Sequence, residues 1–168
     1  MDIYSTIDPW LKVLQNTELA TAIREEDVFF PWIESVHVLA LVVVVGSIAI
    51  LDLRLLGKKL MDRSVVDLIS NLLPITWIAF MIAAVSGGLL FSSKAIIYIH
   101  NNYFLLKIVF LMLAACNMLY FHFYTQRNVY TWGRAYAIPP KSAVIAGILS
   151  LCLWAFIVGF GRWIGFTT

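Results

Sequence analysis

Cysteine is scarce in this chain: Cys116 and Cys152 are the only two, and both stand inside apolar runs. Their separation forms no CxxC pair and no disulfide framework, so both read as small packing residues. A glycine-rich phosphate loop, an HExxH and a GxSxG are also missing, which leaves soluble-type nucleotide and hydrolase chemistry without support. Charge is sparse. Asp, Glu, Lys and Arg make up 13% of the residues and the net charge is +2, which does not indicate a nucleic-acid partner. No helix carries the arginine series of a voltage sensor, and no internal repeat emerges. No basic segment precedes an apolar core of its own at the start, so no cleavable signal peptide is predicted.

Apolar surface is what the chain has in abundance. Of its 168 residues, 61% are hydrophobic, and the mean hydropathy is +0.87. Soluble domains do not have that composition, and the long apolar stretches predict a polytopic membrane protein. The length suits one all-α bundle. Residues 1–31 mix charges with apolar residues at helical spacing (Trp10, Leu11, Leu14; Leu19, Ala22, Ile23). They read as an amphipathic interfacial segment, with Thr17 or Asp8 as a helix cap. Residues 32–168 read as a transmembrane domain of four spans, about 32–56, 68–93, 103–124 and 141–163, in up-down order. Pro74 falls inside span two and predicts a kink, while Pro139-Pro140 stops any helix before span four. The stretch QRNVYTWGRAYAIPPK reads as a loop. Ala83/Gly87, Ala84/Gly88 and Ala143/Gly147 have the small-x-x-x-small spacing of close helix contacts.

Basic residues sort to one side. Arg54, Lys58, Lys59, Arg63, Arg127, Arg134 and Lys141 share it, and the positive-inside rule then sets both termini on the periplasmic side of a bacterial inner membrane.

Ionisable groups inside spans are costly, so each needs a partner or a task. At 1.5 Å of rise per residue they fall into two layers. Near the terminus side are Glu34 and His37 of span one, Lys107 of span three and Arg162 of span four, with His100 in the loop above. Glu34 and His37 share a helix face, and a Glu34–Lys107 pair is the natural neutralisation of both. His37 and His100 suit the axial positions of a haem b, with Lys107 and Arg162 for its propionates, or a copper or zinc site with Glu34 as third ligand. Nearer the basic side stand Asp52, Arg54 and His122, read as a structural polar cluster in which an Asp52–His122 pair relays protons or fixes a tautomer. Met118, one turn before His122, makes that pair a weaker soft-metal candidate.

The strings TELATAIREEDVFFPWIESVHVLAL, VGSIAILDLRLLG, SSKAIIYIHNNYFLLK, NMLYFH and GRWIGF resemble a group of small bacterial inner-membrane proteins that carries only a domain-of-unknown-function label. The resemblance covers nearly the whole chain and implies a four-helix membrane protein with no assigned activity. More distantly, the span-one histidine is similar in layout to copper-resistance-D-type and cytochrome-b561-type membrane proteins. The b561 pattern needs paired histidines on several helices, and span two here has none.

Two functions are therefore expected. One is a redox or metal-handling protein with a periplasm-side histidine site, a possible redox subunit rather than an enzyme by itself. The other is a non-catalytic module, permease-like or partner-binding, whose polar residues join helices. The bilayer is the expected surrounding, with a homo-oligomer or a periplasmic or membrane redox partner as its company.

Overall fold

The computed structural model describes residues 3–167, and among them there is no strand. In chain order the helices are α1 (Ile3–Gln15), α2 (Glu18–Glu25), α3 (Phe29–Leu55), α4 (Val65–Ser93), α5 (Ala95–Ile99), α6 (Asn102–Tyr120), α7 (Val129–Trp132) and α8 (Lys141–Thr167). Four stretches are long and apolar enough to cross a membrane: α3, α4, residues 102–132 and α8. At 1.5 Å per residue, the 27 residues of α3 reach about 40 Å, more than a hydrocarbon core needs. The chain is a multi-pass helical membrane bundle.

Local chemistry sets the helix ends. The Ser64 hydroxyl accepts from the Asp67 amide to cap α4, and Asn101 Oδ1 accepts from the Tyr103 and Phe104 amides to cap α6. Thr17 caps α2; Asp8 lies inside α1. The third span is longer than its apolar pattern suggests. After α6 the chain continues as one wide π turn, Phe121–Thr125, and a tight turn, Gln126–Asn128, into α7. Half of the expected loop after Tyr124 is thus helical.

Antiparallel α3 and α4 pack along their length, α8 lies against both α3 and α6, and α4 meets α6 through aromatic rings. Ala83 and Gly87 lie beneath His37, and Gly147 presses on the Asp52 backbone, so both pairs make close helix contacts. The third small-residue pair does not. Ala84 and Gly88 are exposed, and a side chain on Gly88 would meet nothing within 4 Å.

The two ends differ. We call them the terminus end, where α3 begins and α8 finishes, and the basic end, where the α3–α4 and α7–α8 loops lie. At the terminus end α1 and α2 do not simply lie beside the bundle. Ala20 and Ile23 are buried, Arg24 Nη1 donates to the Gln15 and Ser93 carbonyls, and the Ile96 amide donates to Gln15 Oε1. Together they form a cap docked on α4 and α5. At the basic end Leu55, Val65, Val129 and Ala143 form a compact core.

Candidate functional site

At the terminus end His37 defines the site. Its Nδ1 lies 2.9 Å from the Ala83 carbonyl and 3.0 Å from the Ser86 hydroxyl, both on α4. A carbonyl only accepts, so Nδ1 carries the proton and donates; in the neutral ring Nε2 keeps its lone pair. The Ser86 hydroxyl itself donates to the Ile82 carbonyl at 2.6 Å, which orients its lone pairs toward the ring. Gly87 is the floor: a Cβ there would stand 2.9 Å from His37 Cε1. The spacing Ala83/Gly87 marks close packing in the sequence, and its structural use is to seat an imidazole.

Glu34 and Lys107 both lie within electrostatic range of His37. They do not form the expected ion pair, because no Glu34–Lys107 salt bridge exists among the described residues. Glu34 is exposed. Lys107 instead runs along α8, where a side chain on Gly161 would meet its Nζ at 3.7 Å. Arg162 points its guanidinium over the Phe166 ring at 4.9 Å and is exposed. The layer is covered by rings. Phe91 stacks on Phe104 at 5.4 Å, and Tyr98 of α5 contacts both. Burial first, and then the Glu34 charge, hold the Tyr98 phenol above the usual tyrosine range.

His100 does not join His37. Its Nδ1 lies 2.9 Å from the Ile96 carbonyl, and its Nε2 faces Asp8 of α1 at 3.8 Å. Both ring nitrogens are turned to α5 and the cap. No cluster of three His, Cys, Asp or Glu side chains suited to a metal occurs among the described residues.

At the basic end the expected cluster of Asp52, Arg54 and His122 comes apart. Arg54 is 0% exposed. Its Nε donates to the Arg63 carbonyl at 2.7 Å, and Nη2 to the Arg134 and Ala137 carbonyls at 3.0 and 3.2 Å. One guanidinium thereby ties both loops together. Main-chain bonds run beside it, from the Val65 amide to the Gly133 carbonyl and from the Tyr136 amide to the Met61 carbonyl. Asp52 turns the other way, toward α8, with Ser150 alongside its carboxyl. His122 sits in the π turn, exposed, with Nδ1 3.0 Å from Gln126 Oε1. No hydrogen bond or ion pair joins it to Asp52 among the described residues, and Met118 beside it is exposed.

Two further polar contacts inside the spans join helices. The Ser47 and Thr76 hydroxyls bond at 2.7 Å between α3 and α4, and Asn117 Nδ2 donates to the Ala146 carbonyl at 3.0 Å between α6 and α8. Such bonds hold membrane helices together at about 1 kcal/mol apiece. Ser86, Thr76 and Asn117 were not legible as site or joint residues, because a lone small polar residue in an apolar run has no spacing partner.

A family model described as a family of unknown function (DUF6644) matches residues 24–167, and the chain belongs to that family. Neither a curated protein nor a solved structure matches it.

Proposed function

We propose that this family member is a small non-catalytic membrane module, permease-like or partner-binding, whose working site is the Glu34–His37–Lys107 layer. One observation carries the reading. Lys107 brings an ammonium into the bundle without a bonded acceptor among the described residues, while Ser47, Thr76 and Asn117 are bonded across helices. A lone ammonium in a span is destabilising by about 2.5–3.5 kcal/mol on insertion scales. An anionic group entering beside it offsets that cost. The ligand class is then a small carboxylate or phosphate, held by Lys107, with the His37 Nε2 lone pair ready to take a proton that travels with it. The positive-inside pattern supports a bacterial inner membrane with both termini periplasmic, so the site would face the periplasm. Broad lipid-facing surface on all four spans leaves room for a homo-oligomer.

The test is Lys107→Met. Wild-type protein in detergent should gain melting temperature with millimolar acetate or phosphate, following RT ln(1 + [L]/Kd). The variant should melt at or above the wild-type temperature and lose the anion response. A variant that melts lower, with a wild type indifferent to anions, would make Lys107 a structural residue and end the reading.

A second reading is a redox or metal-handling protein with His37 as ligand to haem b or copper. The orientation of the ring favours it: a ligating imidazole commonly donates its other N–H to a carbonyl and presents the free nitrogen. The donor set is only part of what this chemistry needs, since His100 faces Asp8 and Arg162 faces Phe166. A Soret band or stoichiometric copper in protein purified from membranes, lost in His37→Ala, would put this reading first.

A further inference from the structure

A second site lies on the other flank of α3. Above the tight contact at Gly147, α3 and α8 part and leave a groove of about 260 Å³. Its walls are aliphatic, with Val45 and Ile48 on one side and Leu151 and Val158 on the other; Trp154 supplies the one aromatic surface and Asp52 the one charge. Val158 at the rim is exposed on the outside of the bundle, so the groove opens sideways into lipid.

Asp52 is 5% exposed, and its Oδ2 is buried without a hydrogen-bond partner. The nearest basic residue in sequence does not neutralise it. Arg54 is two positions on, about 200° around the helix, and its donors go to loop carbonyls. Ser150 is the polar neighbour on α8. A carboxylate in such a place, with Ser150 hydrogen-bonding to it and Oδ2 left without a partner, is stable only with a proton or a cation. A metal ion is a poor occupant, because hard cations need six or more oxygens and the groove offers one carboxyl.

We infer that the groove binds a small hydrophobic organic cation drawn from the bilayer. Asp52 pairs with the positive charge, the Trp154 ring offers a cation–π face, and the aliphatic walls take the apolar substituents. The volume sits just under the usual range for ligand pockets, so the occupant is a single-ring or short-chain ammonium. This inference does not depend on the reading at Lys107: one is measured with a cation and the other with an anion, and either fails alone.

The test uses the full chain in detergent and benzyltrimethylammonium as probe, with neopentylbenzene as its uncharged isostere. Wild-type protein should bind the cation saturably and prefer it over the isostere at least tenfold. Asp52→Asn should abolish that preference, and Trp154→Leu should weaken cation binding severalfold. On the wild-type chain the cation should also protect Asp52 from labelling by a hydrophobic carbodiimide, read by mass spectrometry, which needs no variant to fold. Equal binding of cation and isostere, unchanged preference in Asp52→Asn, or labelling that the cation does not slow would each overturn the inference.

Discussion

The basic end and the terminus end of this bundle use their charges in opposite ways. At the basic end a fully buried guanidinium donates through Nε and Nη2 to backbone carbonyls of two loops, while its Nη1 keeps no hydrogen-bond partner among the described residues. At the terminus end Lys107 and Glu34 both act on His37 as side chains, and the ammonium keeps no bonded acceptor among the described residues. Backbone carbonyls neither titrate nor swing away, so the first arrangement is a fixed clamp. Side chains rotate, take up protons and exchange one neighbour for a ligand, so the second is open to change, which is what the proposed anion site would use.

The largest effect that tests this contrast is Arg54→Met. It strands three carbonyls that now accept charge-assisted bonds worth about 1.5–3 kcal/mol each, and the expected loss is about 3–5 kcal/mol, read as a sharp fall in melting temperature and membrane yield. Arg54→Lys should recover little, because a single ammonium lacks the planar fork that reaches both loops. A methionine variant that melts like wild type would show that the loop bonds alone hold this end.

Next in size is a pair of neighbouring glycines. Gly87→Ala places a methyl 2.9 Å from His37 Cε1, which displaces the ring from Ala83 and should cost about 1–3 kcal/mol together with the anion response. Gly88→Ala meets nothing within 4 Å and should be neutral or stabilising by up to about 1 kcal/mol through helix propensity. Equal melting shifts for the two would mean that His37 is not seated as described.

The four spans were legible because an apolar run of that length has one stable structure in lipid. Depth was legible too, since rise per residue is constant: of the expected layer of Glu34, His37, Lys107 and Arg162, Glu34 and Lys107 lie within electrostatic range of His37, while Arg162 stands over Phe166. Azimuth was not. Asp52, Arg54 and His122 share a depth, but Asp52 and Arg54 point to opposite sides of α3, and the π turn sets His122 outward. The partners of Arg54 were invisible for another reason: they are carbonyls of Arg63, Arg134 and Ala137, and any residue type supplies a carbonyl. Likewise nothing in the run around Ser86 announces that its hydroxyl and the floor at Gly87 receive a histidine from 49 positions earlier.

The smallest effect concerns the lid over the terminus-end layer and separates its packing from its electrostatics. Tyr98 sits against Phe91 and Phe104, and both burial and Glu34 raise its phenol above the ordinary 10.0. A raised acid favours the protonated form in the fold. The stability it reflects is fully present below the unfolded value and is lost as pH rises through the folded one. Tyr98→Phe keeps the ring stack and removes the proton. It should match wild type at neutral pH to within about 0.5 kcal/mol and lose less stability between about pH 9 and about pH 11. Glu34→Gln should shrink the alkaline loss without removing it, because burial is the larger cause. Tyrosinate absorbance, taken as wild type minus Tyr98→Phe, reads the same titration directly. A phenol that titrates in the ordinary range would mean that the lid stands open to water and that the layer beneath it is as wet as the membrane surface.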